Sequence, residues 1–382
     1  MANYSRNAKN FYCGVDLHKT KSYIYIIDEN GTKIEACEFL TSQNNFEKKF
    51  SSYSSGNLLV AVEISSLTFW FCDILQELNI NVYVVNTLEN HYISRSLTKT
   101  DKEDARKLAI ELWKEILPPP VYIPKKEERD IRYLVSHRAF LVKNLTRVIN
   151  RTSYLLANYE LKFSRRSLTS LKRWQYLNEI LKSRGNLSED NVRELRVIKI
   201  KVDDVLLLEF KVQYEQFKLL NKQITQLEKK LLTHLGKSSR LSVMYQNLLS
   251  IPGMGPITSS ALIGHIGEVE RFKSGRQFVS YLGLCPKVRE SGGKSLGSGG
   301  ITKRGNNRLR GYFVQASVAL LNSRHADAIP LKEWYEGIRK KKGWRKARVA
   351  LARKLAQVSF GVLKTNLPYD PFKVIIKKNA PK

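Results

Sequence analysis

The chain has 382 residues, with 65 Lys and Arg against 35 Asp and Glu, a formal net charge of +30, and 42% hydrophobic residues. That length allows two or three domains with real cores, and the apolar content excludes wholesale disorder. The charge is far too basic for an ordinary metabolic enzyme and points to a polyanion, nucleic acid first and an anionic membrane second.

The charge is unevenly placed. Residues 1–124 hold 13 basic and 15 acidic side chains, a net of −2, which leaves +32 on the remainder. The carboxylates of the first part therefore serve something other than gripping phosphates. No apolar run approaches the ~18–20 residues of a membrane span. The start, MANYSRNAKNFYCGVD, lacks the apolar stretch of a signal peptide. Cys13, Cys37, Cys72 and Cys285 are scattered without a CxxC pair, and the six histidines show no HExxH or finger spacing. A disulfide scaffold or structural zinc site is not expected, and a reducing cytoplasm is.

In chain order, residues 11–16 read as a short apolar strand. Residues 22–27 read as a second, ending in the turn sequence DENG, and 32–39 as a third. A polar helix-like segment follows at 44–53, then a buried strand at 57–63, a helix at 69–78, a strand at 80–85 and a helix at 101–114. The order β-β-β-α-β-α-β-α is an antiparallel meander followed by alternating strands and helices. Ribonuclease-H-like nucleases and integrases use this order. Pro118, Pro119, Pro120 and Pro124 then mark a boundary.

Two long helical stretches lie beyond it. Ile131, Leu134, Leu141, Leu145, Val148, Leu155 and Tyr159 keep 3/4 spacing, with polar interruptions at Arg138 and Thr152. Leu206, Phe210, Phe217, Leu220, Ile224, Leu227 and Leu231 do the same, with Gln213 as the polar member. Such heptads predict a helical hairpin or coiled coil. The basic, Ser/Asn-rich stretch 162–201 between them reads as a loop or mobile insertion. From Tyr245, NLLSIPGMGPITSSALIGHIG reads as helix, tight turn, helix. The Gly-rich SGGKSLGSGG and ITKRGNNRLR lead into a helix at 311–321. Residues 339–364 read as one basic amphipathic helix with the apolar line Ala347, Leu351, Leu355, Val358 and Val362. The resulting division is 1–120, 125–238 and 240–382, an α/β domain followed by two mostly α regions.

Four constellations can carry chemistry. Asp16 ends the first strand and Glu63 the fourth, expected beside it. Asp101 and Asp104 share one helix face at i and i+3, with Glu103 turned away. Hard oxygen ligands at two strand ends and a flanking helix suit Mg²⁺ (or Mn²⁺) in phosphoryl transfer. Taken singly, each acid could instead be a cap or a solvated end, with Asp101 as the helix N-cap. The IPGMG turn, through Gly253 and Gly255, could offer amides to a phosphate in the manner of a helix-hairpin-helix, or be a plain turn. In RESGGKSLGSGGITKRGNNRLR, Ser291 is surrounded in sequence by Lys294, Lys303, Arg304, Arg308 and Arg310. Composition alone favours a phosphate-binding surface loop there over an attacking serine. Finally, Lys143, Arg147 and Arg151 form an i, i+4, i+8 stripe that Arg129 and Arg132 extend. Arg345, Lys346, Arg348, Arg353 and Lys354 flank the last apolar line. Few acids offset them, which favours polyanion binding.

Together these residues resemble the DEDD transposases of the insertion-sequence family IS-one-ten, the RNA-guided bridge recombinases. YCGVDLHK, the strand ending in Glu63 and KTDKEDARKLA resemble its RuvC-like N-terminal domain. LLSIPGMGPITSSALIGHIG, RFKSGRQFVSYLGLCPKVRESGG, ITKRGNNRLR and RKLAQVSFGVLK resemble its C-terminal transposase domain. The resemblance implies that Asp16, Glu63, Asp101 and Asp104 are the acid tetrad and that Ser291 is a nucleophile forming a covalent link to DNA. It further implies a structured non-coding RNA pairing with donor and target DNA, an oligomeric synapse of two or four copies, and work at the bacterial nucleoid. The chain departs from the family pattern at Ile64-Ser65-Ser66, at Thr87 and in 162–201. Two other readings are a RuvC-type structure-selective endonuclease using metal-activated water, with Ser291 passive, and a non-catalytic nucleic-acid-binding protein.

Overall fold

The computed structural model describes residues 10–53, 56–86, 100–161, 163–183, 202–291 and 294–373. Two compact units divide the chain, 1–123 and 124–382.

The first unit is a mixed α/β, ribonuclease-H-like domain. Its strands are β1 (Phe11–Leu17), β2 (Lys21–Asp28), β3 (Lys33–Leu40), β4 (Leu58–Glu63) and β5 (Asn81–Val85), in the sheet order β3-β2-β1-β4-β5. β1 runs antiparallel to β2 and parallel to β4, and β4 is parallel to β5. The sheet separates two cores, and strand alternation decides which residue joins which. Cys13, Val15, Leu17, Leu58, Val60 and Val62 meet Phe46 and Phe50 of α1 (Gln43–Phe50) and Phe71 of α2 (Thr68–Glu77). Ala61 and Val85 face the other way, against Leu108 and Leu112 of α3 (Asp101–Trp113).

Gly14 makes the second contact close. A Cβ there would lie 2.0 Å from the Ala105 carbonyl oxygen and 2.6 Å from the Ala109 amide nitrogen. Only a glycine lets α3 sit this deep on β1. The buried face of α3, Ala105, Leu108, Ala109 and Leu112, follows i, i+3, i+4, i+7 spacing.

The second unit is mostly helical. α4 (Lys126–Asn158) and α6 (Asp204–Gly236) pair lengthwise. Asp130–His234, Arg138–Glu228, Arg151–Glu209 and Tyr159–Asp203 contacts fix an antiparallel hairpin. The expected polar interruptions answer one another: the Thr152 hydroxyl donates to Gln213 in the buried seam. Residues 162–201 are not a loop throughout. α5 (Leu171–Lys182) folds onto the hairpin, with the fully buried Trp174 stacked on Phe217 at 4.4 Å and on Phe210 at 5.6 Å. Residues 162 and 184–201 of that stretch, and Thr87, lie outside the described residues.

Beyond the hairpin, α7 (Ser239–Leu249) and α8 (Pro256–Ile266) flank the IPGMG turn. α9 (Gly275–Tyr281), the ribbon of β6 (Pro286–Ser291) and β7 (Lys294–Ile301), and α10 (Asn307–Asn322) follow. The tail is two helices, α11 (Ile329–Lys342) and α12 (Trp344–Thr365), where one was expected, because Gly343 adopts a φ of +76° between them. Ala347, Leu351, Leu355 and Val362 are buried as their spacing requires, and Val358 packs against the same core. That core also takes in Ile131, Val135, Leu231 and Leu235 from the near end of the hairpin. Among the described residues no helix is long and apolar enough to cross a membrane.

Candidate metal-dependent active site

Register and alternation build the acid site. In the parallel β1–β4 pair, Val15 lies opposite Val62, so Asp16 and Glu63 follow side by side at the strand ends. Both continue the series that faces α3, after Gly14 on one strand and Ala61 on the other. On α3, Asp101 and Asp104 extend the sheet-facing stripe by one turn towards the N-terminus, which brings them over the same edge.

The α3 N-cap is Thr100, whose hydroxyl accepts the Glu103 amide at 3.3 Å, so Asp101 has no capping duty. Glu103 turns aside to Arg106 at 3.1 Å. Beyond Glu63, the buried Thr68 hydroxyl accepts the Ser65 amide at 2.7 Å and donates to the Glu63 carbonyl at 3.4 Å. That clasp closes the Ile64-Ser65-Ser66 departure without disturbing the strand end.

Asp16 is 19% exposed, and His18 Nε2 lies 3.2 Å from its Oδ2 and 4.0 Å from Asp101 Oδ1. One ligand atom from each of Asp16, His18 and Asp101 lies within 4.8 Å of the others. Burial pushes the Asp16 carboxyl above its ordinary range; His18 opposes this, and the charges of Asp101 and Asp104 add to it. Asp104 Oδ1 is buried with no hydrogen-bond partner. Clustered carboxylates that repel one another, with a buried oxygen lacking a donor, fit a divalent cation. His18 was not singled out in the sequence. The signal was alternation: Gly14, Asp16 and His18 stand at i, i+2 and i+4.

The other expected site residues lie in the second unit. Gly253, at φ +88°, is pressed on α10: a Cβ would meet the Ala316 oxygen at 2.5 Å. Its glycine thus serves packing, while Gly255 is the N-cap position of α8, ahead of Pro256. Ser291 and Lys294 form the last pair of the β6–β7 ribbon. The side chains of 287–299, theirs included, lie outside the described residues.

Lys303, Arg304, Arg308 and Arg310 do not surround Ser291. They follow the far end of the ribbon, where Pro286 pairs with Ile301, some five residues or about 17 Å along the strand. Strand pairing stretches a segment that sequence proximity had suggested was compact. Arg310 there bonds the Lys303 carbonyl at 3.1 Å, and Arg308 donates to Ser136 at 2.5 Å.

Lys143, Arg147 and Arg151 are exposed along α4, Arg151 pairing with Glu209 at 3.1 Å. Arg129 and Arg132 do not extend that stripe. Arg129 is only 6% exposed, and the half-buried Arg132 donates to the Gly264 carbonyl at 3.0 Å. Arg345 and Lys346 are exposed, and Arg353 is half-buried.

A ribonuclease-H-like sheet in which Asp16 at the end of β1 meets Asp101 at the start of α3, with Glu63 ending the neighbouring strand β4, is that of a metal-dependent phosphoryl-transfer enzyme acting on nucleic acid. Comparison with known proteins narrows the class. A transposase family of the DEDD IS110 type matches residues 13–160, and the transposase IS116/IS110/IS902 family matches residues 245–330. A probable family 20 transposase of Pseudomonas aeruginosa is 25% identical over 315 residues, covering 82% of this chain and 86% of that protein. The pilin gene-inverting protein of Moraxella bovis is 25% identical over 373 residues, 94% of this chain and 97% of its own. A transposase for insertion sequence element IS1328 of Yersinia enterocolitica is 33% identical over 149 residues, 39% of this chain and 43% of that one. The chain belongs to the IS110/IS1111 family of DEDD transposases, and it is a DNA-cutting and DNA-joining enzyme.

Proposed function

We propose that strand cleavage takes place at Asp16, Glu63, Asp101 and Asp104, with water as the attacking nucleophile in the manner of a RuvC-type nuclease. The observation that carries this reading is the convergence of Asp16 and Asp101 on one sheet edge, beside a buried Asp104 oxygen that has no donor. Asp16 and Asp101, with Glu63 and Asp104 beside them, would hold a divalent ion, Mg²⁺ or Mn²⁺, which when bound would supply Lewis-acid assistance to attack on the scissile phosphate and to departure of the strand's leaving oxygen. Asp16 and Glu63 would offer ligand oxygens from neighbouring strands, and Asp101 and Asp104 would offer theirs from α3. His18 holds the Asp16 carboxylate in place through its 3.2 Å contact.

A second reading makes Ser291 the nucleophile, leaving a phosphoserine link that allows cut strands to be rejoined. Its position in the last pair of the β6–β7 ribbon supports that reading, as does the family resemblance around ESG. The two are separated by incubating the protein with Mg²⁺ and element-end DNA, then denaturing. Water attack leaves free cleaved DNA and full cutting by Ser291→Ala. Serine attack leaves a denaturation-resistant protein–DNA adduct that Ser291→Ala abolishes.

The remaining parts of the proposal follow the resemblance. A structured non-coding RNA would pair with donor and target DNA, two or four copies would form the synapse, and the reaction would occur in the bacterial cytoplasm at the nucleoid. The exposed cations Lys143, Arg147, Arg151, Lys303, Arg304, Arg308, Arg345 and Lys346, with Lys294, Arg310, Arg353 and the Gly253–Gly255 turn, would hold phosphates. RNA that co-purifies with the chain and whose removal abolishes sequence-specific DNA capture is the expected result; unchanged capture would argue against guidance.

A further inference from the structure

We infer that Trp344 is a stacking platform for an unpaired base of a DNA strand, flanked by a cationic cradle for that strand's phosphates. Residues 339–346 read RKKKGWRK, and all eight are exposed. All five tryptophans of the chain are described, and Trp344 alone among them is exposed, at 50%. Trp174 is fully buried, and Trp70, Trp113 and Trp334 are half-buried.

The ring is not simply adrift. The Arg348 and Arg345 guanidinium carbons lie 4.8 and 5.1 Å from its centroid, so two cations steady the indole on α12 while leaving half of it in solvent. Gly343, at φ +76°, makes the break that sets this ring between the last turn of α11 and the first turn of α12.

Charge complementarity selects the occupant. Arg339, Lys340, Lys341, Lys342, Arg345 and Lys346 are six cations in eight residues. Of these, Arg339 pairs with Glu336 at 2.8 Å. α12 contains no Asp or Glu over its 22 residues. Its first turn holds cations where the helix macrodipole favours anions, an arrangement that an approaching phosphate relieves. An anionic membrane fits less well, because the apolar line of α12 is buried in the core and offers nothing to insert. An aromatic face among cations matches a nucleotide strand, in which bases stack while phosphates are neutralised. In an intact duplex the base faces are covered by their neighbours, so the ring requires an unpaired strand. Strand cutting and joining, the family's chemistry, supplies such strands as DNA ends.

This inference rests on the reading of the basic second unit as the part that holds nucleic acid. The test uses the full chain and three 20-nucleotide probes of one sequence: single-stranded DNA, single-stranded RNA and duplex DNA. Affinities are measured across a salt series. Trp344→Ala is expected to weaken single-stranded DNA binding about 5- to 100-fold without changing the slope of log K against log salt. Trp344→Phe should keep most of the affinity, and the duplex should be unaffected. Quadruple substitution of Lys341, Lys342, Arg345 and Lys346 by Ala should flatten the slope instead. A DNA strand carrying 5-iodouracil should photo-crosslink to the peptide containing Trp344. Unchanged single-strand affinity in Trp344→Ala, an equal loss on the duplex, or a loss confined to RNA would each overturn the inference while leaving the basic reading intact. Absence of salt-dependent nucleic-acid binding by the native chain would overturn both.

Discussion

Gly14 and Asp16 illustrate what single residues settle. With a Cβ at position 14 only 2.0 Å from the Ala105 oxygen, Gly14→Ala must push α3 away from β1 and carry Asp101 and Asp104 with it. A destabilisation of about 2–4 kcal/mol is expected by chemical denaturation, with cleavage lost even where the variant stays folded. Asp16 presents the opposite case. Burial raises its folded carboxyl above the ordinary value, so ionising the group costs the metal-free fold more than it costs the unfolded chain. The associated stability is complete below the ordinary carboxylate pKa and disappears as pH rises through the raised one, leaving the ionised group a liability at neutral pH. Asp16→Asn should therefore raise the Tm of the metal-free chain at pH 7 by about 2–4 °C, while cutting Mg²⁺-dependent cleavage roughly 10³-fold. A Tm unchanged or lowered would contradict this account of the site. The meeting of Asp16 and Asp101 was legible in the sequence because a strand end and a helix start need no tertiary knowledge; Glu63 and Asp104 belong to the site only in the proposal. Zinc-type spacing does not single out His18, because its partner is set by strand alternation and the approach of a distant helix.

At the scale of elements, periodicity was a good guide to existence and a poor one to surroundings. The strands and helices of the first unit lie within a residue or two of their sequence boundaries, except α1, which ends at Phe50 and gives way to a 3-10 turn at Ser51–Tyr53. The seam between α4 and α6 was legible down to its polar positions, since Thr152 and Gln213 each interrupted an apolar line. Their pairing gives a clean cycle. Thr152→Val alone leaves the Gln213 Oε1 without its donor in the seam and should cost about 1–2 kcal/mol, whereas adding Gln213→Leu should recover most of it. Denaturation midpoints of the two single variants and the double variant measure the coupling.

What failed was the reading of cations and polar loops. Arg129 and Arg132 continue a charged stripe in sequence, yet neighbouring elements cover them, and no helical wheel shows that. In residues 162–201 basic composition masked Trp174, Leu177 and Leu181, whose 3/4 spacing was the available signal. On α8, His265 accepts the Asn306 amide at Nδ1 (3.0 Å). Burial, with Arg132 and Arg308 nearby, lowers its pKa to about 4. The unfolded chain binds this proton near pH 6.5 and the folded one near pH 4. The stabilisation is therefore full above 6.5 and is lost as pH falls towards 4, at up to about 1.4 kcal/mol per pH unit. His265→Gln, able to accept the same bond, should remove that component. Equal losses of stability between pH 7 and 5 in the native chain and the variant would refute the assignment.

For the whole molecule, the division of charge that opened the sequence coincides with the division of structure. The near-neutral part is the unit whose acids converge, and the +32 part is the helical unit. A transposase must hold phosphodiester backbones firmly, and most of the chain's cations lie in the second unit. Such binding is driven by counterion release, so its salt dependence counts the phosphates neutralised. On α4, Lys143, Arg147 and Arg151 stand along one exposed face, but Arg151 is already paired with Glu209 and should contribute less than a full contact. Replacing all three by Ala should reduce the slope of log K against log salt on duplex DNA by about 2, short of the roughly 2.7 that three unpaired contacts would give. Replacing Glu209 by Gln in the native background should steepen it instead, by freeing Arg151. A slope unmoved by the triple substitution would take this face out of the DNA path. A drop of the full three contacts would mean that the Arg151–Glu209 pair opens when DNA binds.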